Sequence, residues 1–521
     1  MRFCCFIFAV LAVCELARGD GEGYFGIHIV DDQTGRGVPL VILQTTNKIQ
    51  FITDSSGYVA FFEPGLMSQD VYFGVSSWGY EAKDIGFGCR GAVLRTAPGG
   101  EAEIRIHRLN IAERLYRLTG EGIYRDSILL GKPAPIAEGL LNGKVMGSDT
   151  VETAVYGGKM YWFWGDTDRP SFPLGNFFTT GATSLSPQRL DPDRGIDYTY
   201  FVNEDGFARG MLPIHAKESL PVWIDGLMVV NDDAGRAHMV CHWIRANSDL
   251  TVAEQGLAEF DDSHQVFQPR VKYPVEAPLG PCGHPMRALS GGKVYYYFAH
   301  PFLIERAAAD YAHMMDLSTY EGFSCLEPGS DWGDPNMRVN RDGQGRLVWS
   351  WQKGAHPIGP EEFAELARKG LVKKSESPFV IEDIASGKPI KPVEITVAWN
   401  PFLKKWTMLC GQVGGDSNLG EIWLAYGDAP EGPWSSARKV VTHALPKDNN
   451  DFYNPMQHPE LMRHGGRFIY FEGTFVNTFS SNPHPTPRYD YNQIMYRIDL
   501  ADPRLALPEP PPGLTDTKPV Q

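Results

Sequence analysis

Carboxylate and imidazole side chains recur along this chain at spacings that suit proton transfer. Asp149, Glu152, Asp225, Asp334, Glu394 and Glu460 each lie at or near an apolar segment that leads through a turn into a short aromatic run. Two carboxyl groups in different environments, one protonated and one ionised, make a general acid and a general base. Their recurrence at one point of successive segments suggests a shared opening, although any single one also fits a turn, cap or strand-edge charge. His284 and His458 occupy matching places, each beside a proline at the head of such a segment. Asp166, in Gly165-Asp166-Thr167-Asp168, reads first as a turn residue and second as a lining residue.

The densest polar group, Asn449, Asn450, Asp451, Tyr453, Asn454, His458 and Glu460, comes late, before the apolar run 468–471. After it, Pro487, Arg488, Tyr489, Asp490, Tyr491, Asn492 and Gln493 lead into 494–498. Aromatic rings stack on sugar faces, amides hydrogen-bond hydroxyls, and arginine grips a carboxylate or sulfate with two N–H groups. The same residues could instead close a ring of repeats by filling the gap between its ends.

The elements that must position these groups are repeats. Six times a turn is followed at once by an aromatic strand, at 159–166, 236–243, 293–300, 346–352, 404–412 and 467–474. The later recurrences are roughly 50–65 residues apart, the distance between propeller blades. The strands that precede them, expected at 149–156, 222–231, 285–290, 337–341, 394–400 and 459–464, would be the inner ones. The fold class is therefore all-β, a small N-terminal β-sandwich followed by a β-propeller. Six hairpins favour six blades. Five remain open if the fourth hairpin is an insertion, because 360–369 reads as a helix that begins with Pro360 and is ended by Gly370.

Five segments are expected. Residues 1–19 read as a signal peptide, with Arg2, an apolar run 3–13 and Ala17-Arg18-Gly19. That implies a secreted, extracellular or periplasmic protein; Val13 before Cys14 argues against a lipoprotein anchor. Residues 20–107 are the sandwich. Residues 108–145 are a connector with a short helix, placed at 111–118 from the spacing of Ile111, Leu115 and Leu118, with Glu113, Arg114 and Arg117 on the other side. Residues 146–505 are the propeller and 506–521 a Pro-rich tail.

A net charge of −15 speaks against nucleic acid as a partner, and no later segment is long enough to span a membrane. Beyond the signal segment the cysteines are Cys89, Cys241, Cys282, Cys325 and Cys410, widely spaced and without a C-x-x-C pair. They suggest neither a disulfide scaffold nor a zinc site, with a Cys282–Cys325 bridge left open. No phosphate loop, dinucleotide fingerprint or Gly-x-Ser-x-Gly elbow occurs, so no cofactor is expected; a structural Ca²⁺ stays open, as does the oligomeric state.

Two resemblances sharpen this. Asp31, Thr34-Gly35, Val38-Pro39 and Thr53-Asp54-Ser55-Ser56-Gly57-Tyr58 resemble transthyretin-like or carboxypeptidase-regulatory β-sandwich modules, in which that Asp-Ser-Ser-Gly turn is structural. The Gly-Gly-Lys-x-Tyr hairpins at Gly157 and Gly291, the blade end Pro430-Glu431-Gly432-Pro433-Trp434, and Gly147-Ser148-Asp149 with Gly165-Asp166-Thr167 resemble five-bladed propeller glycoside hydrolases. That group comprises arabinanases, xylosidases and relatives acting on D-arabinan or anhydrogalactose. The resemblance implies a base, an acid and a tuning carboxylate on inner strands. Asp149 matches the base, while Asp225 and Glu394 are comparably placed without a full motif. The expectation is a secreted glycoside hydrolase whose carbohydrate substrate meets Trp223, His284, Asn454, His458, Glu460, Arg488, Tyr489 and Tyr491. Two alternatives stand beside it: a non-catalytic propeller that binds glycan or protein, and a polysaccharide lyase using His458, Tyr489 and Tyr491 with Arg488.

Overall fold

The computed structural model describes residues 23–214, 220–299, 301–415, 419–443, 451–477 and 488–507. The expected signal segment and nearly all of the tail lie outside these residues, as do Asn449, Asn450 and Pro487.

The fold is all-β. Residues 25–108 form two four-stranded sheets whose inner faces share one apolar core, including Ile27, Leu43, Val59, Phe61, Phe73 and Ile104. Strand Glu101–Arg108 shows why: Ile104, Ile106 and Arg108 alternate inward while Glu103, Arg105 and His107 face water. The Asp54 turn is tied to the connector beyond the sandwich. Its carboxylate accepts from Ser56 N and Tyr58 N within the turn, and from Ser127 N of the connector at 2.6 Å.

Five further sheets follow as blades. Their inner strands are Val151–Tyr156, Val222–Asn231, Met286–Ser290, Pro392–Asn400 and Asp451–Gln457. The aromatic second strands are dense because each blade packs on both faces. In Lys159–Trp164, Trp162 and Trp164 meet Tyr198 on one side, and Tyr161 and Phe163 meet Phe260 on the other.

The fourth hairpin is not a blade. Strand Ser350–Lys353 pairs with Glu321–Ser324 and becomes the outer edge of blade three. Residues expected as an inner strand at 337–341 make only isolated bridges, and Asp334 is exposed in a loop. The helix of this insertion does form, as Pro360–Arg368. A second correction concerns blade five, whose inner strand is Asp451–Gln457; residues 459–466 carry two short 3₁₀ turns instead. The polar group was itself the strand.

The third correction is the expected helix at 111–118. Glu113–Arg117 is a strand, paired antiparallel with Asn492–Asp499 as the fourth strand of blade five. All five residues are buried, the charged ones included. Glu113 accepts from Arg497 at 2.5 Å, Arg114 donates to Ser77 Oγ at 2.5 Å, and Arg117 donates to Asn492 Oδ1 at 3.0 Å. The ring lies on one side of this strand and the sandwich on the other, so the alternation that marks a half-exposed strand is absent. A short helix does occur downstream, at Arg125–Leu129.

All five cysteines are free. Cys325 is buried in the core of blades three and four, and Cys282 donates to Ala299 O at 3.3 Å, so the bridge between them is not formed.

Candidate active site

Just before each inner strand, or no further along it than its middle, the backbone makes the same irregular step. Thr150, Gly226, Gly283, Glu394 and Asn454 have φ of 47°, 58°, 56°, 50° and 49°. Non-glycine residues seldom adopt this region, and in blades two, four and five the step coincides with a β-bulge. Bulges at sheet ends re-aim side chains. Here they turn polar groups from five blades toward one opening.

Asp149 is partly buried at the head of blade one. Tyr453, from blade five, donates its hydroxyl to Asp149 Oδ2 at 3.1 Å, and the Tyr491 hydroxyl also bonds this carboxyl. Gly165 leaves room for it, since a Cβ there would stand 2.3 Å from Asp149 Oδ1. Burial pushes the Asp149 carboxyl up to about 6 even though both hydroxyls favour its ionised form. Asp166 is a neighbour rather than a mere turn residue. Trp223 Nε1 donates to Asp166 Oδ1 at 2.6 Å, and burial followed by repulsion from Asp149 pushes this carboxyl up to about 7.

Glu394 itself occupies the left-handed position of blade four. Asn454 N donates to its Oε2 at 2.6 Å, and the Asn454 amide donates to Thr150 Oγ1 at 2.6 Å. Burial raises the Glu394 carboxyl, Asn454 N–H and His284 oppose this, and Asp149 adds to it. Consecutive residues of blade five thus hold both carboxyl groups, Tyr453 one and Asn454 the other.

Blades two and three are built differently. His242 Nδ1 lies 2.5 Å from Asp225 Oδ1, and Gly283 N donates to Asp225 Oδ2 at 3.0 Å. Burial would raise this carboxyl, but His242, Gly283 N–H and His284 together hold it below the usual range. The Asp225 side chain keeps 38% of its surface, so a fixed negative charge faces the opening. His284, buried, pairs through Nδ1 with Glu152 Oε1 at 3.0 Å. Burial alone would lower its pKa; Glu152, Asp225 and Glu394 outweigh this and raise it above the ordinary imidazole value.

The structure brings together Asp149, Asp225, Glu394, Trp223, His284, Asn454 and Tyr491. It places the other expected residues elsewhere. His458 is fully buried, with Nε2 2.9 Å from Glu472 Oε1 and Nδ1 3.5 Å from Glu460 Oε1, an internal charge cluster that pushes it up to about 9. Glu460 sits in a 3₁₀ turn and is 3.5 Å from Thr153 Oγ1. Arg488 turns away: its carbonyl accepts from Arg117 and its guanidinium lies 3.9 Å from Asp126. Tyr489 is buried at the sandwich, its ring centroid 5.7 Å from that of Trp78. The His–Tyr–Arg set that a lyase would need is therefore not assembled.

His242 has no place in the sequence reading; Asp166 appears there as a lining residue only second, and Tyr453 only as one member of the late polar group. His242 faces Asp225 directly in register, but the bulge between Asp225 and Met228 shifts the count made from the turn. Among the described residues no three His, Cys, Asp or Glu side chains are arranged to hold a metal ion, and no helix is long and apolar enough to cross a membrane.

No protein-family model and no curated protein matches this sequence. Solved structures share a broad likeness. An α-L-arabinanase from Penicillium chrysogenum is 11% identical, with 75% of this chain and 99% of that one covered and a TM-score of 0.34. An α-L-arabinofuranosidase from Fusarium graminearum is 10% identical, with coverage of 75% and 98% and a TM-score of 0.35. An exo-β-1,3-galactanase from Phanerochaete chrysosporium is 9% identical, with coverage of 68% and 61% and a TM-score of 0.34.

Proposed function

We propose that this protein is a glycoside hydrolase acting on a poly- or oligosaccharide. The observation that carries this reading is the bridge from blade five: Tyr453 bonds Asp149 while Asn454 bonds Glu394, so two carboxyl groups from separate blades converge with different surroundings. Asp149, raised only to about 6, is ionised at neutral pH and takes a proton from the attacking water. Glu394, partly buried and repelled by Asp149, donates its proton to the departing glycosidic oxygen as the C–O bond breaks. Asp225 stays charged and, with His284, fixes the field between them.

The test is a panel of neutral and acidic polysaccharides. New reducing ends without the ultraviolet absorbance of an unsaturated sugar are expected, with activity lost in Asp149→Asn and Glu394→Gln. Full activity in both variants would overturn the assignment. Retention of a glycan with no cleavage would favour a binding module. We also read the protein as secreted, on the strength of Arg2, the apolar run 3–13 and Ala17-Arg18-Gly19. N-terminal sequencing of the exported chain should begin at Asp20; a chain that keeps Met1 would count against this.

A further inference from the structure

A second opening lies beside this site, between blades two and three. It is a cavity of about 340 Å³ that touches Asp225's partner His242. One short stretch links the two places: Gly283 N donates to Asp225, and Gly280 N donates to Glu305 Oε2 at 3.0 Å. Glu305 and His242 both line the cavity, and the blade-three insertion contributes His356 and Glu362 to its wall.

Two buried polar groups there are under-used. His242 is 7% exposed and commits Nδ1 to Asp225, which leaves Nε2 buried with no hydrogen-bond partner among the described residues. Glu305 is 6% exposed, and burial pushes its carboxyl up to about 8. At neutral pH it therefore carries a proton and offers an O–H donor. A buried polar atom left without a partner is costly, which is a reason to expect one supplied by a ligand. Gln255 and the Tyr273 hydroxyl add further polar groups.

The remaining walls define the ligand. Val275, Leu279 and Ile304 present apolar surface that suits the C–H face of a sugar ring. No Lys or Arg lines the cavity, while two carboxyl side chains do, so an anionic sugar would enter without a fixed positive partner.

We propose that this cavity is a subsite for one neutral sugar residue of the substrate, with Glu305 and His242 as its hydrogen-bonding contacts. The proposal rests on the glycosidase reading for its meaning as a subsite, but its binding step can be measured separately. The full chain is titrated with D-galactose, L-arabinose, D-xylose and D-galacturonate, followed by calorimetry or ligand-observed NMR. Two variants accompany it: Ala277→Trp, which fills the cavity from a partly exposed loop position, and Glu305→Ala, with Glu305→Gln to restore a donor. Circular dichroism melts report on folding.

At least one neutral sugar should bind and galacturonate should not. Ala277→Trp and Glu305→Ala should each weaken binding about tenfold, with Glu305→Gln close to the parent protein. On a cleaved oligosaccharide the same two variants should raise KM more than they lower kcat. If neutral sugars bind and Ala277→Trp abolishes this but no glycan is cleaved, the pocket stands and hydrolysis falls. If glycans are cleaved and neither binding nor KM responds to these variants, hydrolysis stands and the pocket is overturned. Preferred binding of galacturonate would also overturn it.

Discussion

At the site, Asp149 of blade one and Glu394 of blade four are held by neutral donors from blade five, whereas Asp225 of blade two faces imidazoles. Tyr453, Tyr491 and an Asn454 backbone N–H hold Asp149 and Glu394, whose proton affinities rise with burial. His242 and His284 hold Asp225, whose affinity falls although burial opposes that. Around Asp149 and Glu394 the donors do not outweigh burial, whereas around Asp225 the histidines and the Gly283 N–H do. Asp149, pushed up to about 6, can therefore exchange a proton near neutral pH while Asp225 stays ionised. The division of labour comes from the neighbours, since the carboxylates themselves are alike.

The largest expected break of this contrast is Glu394→Gln. On a glycan it should lower turnover about 10²- to 10³-fold, yet an aryl glycoside with an acidic phenol leaving group should be nearly spared. Asp149→Asn should lose both; equal losses in Glu394→Gln on the two substrates would remove Glu394 from the acid role. Next comes His242→Gln, which takes the imidazole from Asp225. Its carboxyl should rise toward that of an ordinary buried acid, with turnover down about tenfold at pH 6 and partly recovered at pH 8. A flat, pH-independent loss would mean that His242 matters only for shape.

Tyr453→Phe should act more mildly. Losing a hydrogen bond to the ionised form raises Asp149 further, so the acid limb of kcat/KM should move up from about 6. Activity at pH 5.5 should fall severalfold and that at pH 8 little. The last effect concerns stability, at the internal cluster of His458. A histidine raised from 6.5 to about 9 stabilises the fold below 6.5, and that contribution is lost as pH rises through about 9. Melting temperature should drop between pH 7 and 9.5 by the equivalent of about 2 kcal/mol, and His458→Gln should flatten that slope.

Much of the architecture was legible because the aromatic hairpins are local. Strand Val222–Asn231 and helix Pro360–Arg368 follow from nearby residues alone. The position of Asp149, Asp225 and Glu394 at or near the start of an inner strand was legible for the same reason, since that repeat is a local pattern. What stayed hidden depends on distant partners. Tyr453 reads as one more polar residue until blade five meets blade one. Arg488 and Tyr489 look well suited to a ligand, but the sandwich and the connector claim them. Glu113–Arg117 misleads most, because its charged residues are buried by partners from Ser77 to Arg497.

That strand also bears on how the chain reaches its fold. Blade five is finished by a segment that lies before blade one, so Arg117 must wait for Ile494. A chain made from its N-terminus exposes this edge throughout the synthesis of four blades, and unpaired edges invite pairing with other chains. Closure at such sequence distance is slow, which places the aggregation hazard before the last strand arrives rather than after. The sandwich, complete much earlier, contacts this strand through Ser77 and Ser55. It is in a position to act as a built-in chaperone, covering one face of the waiting edge until the ring can shut.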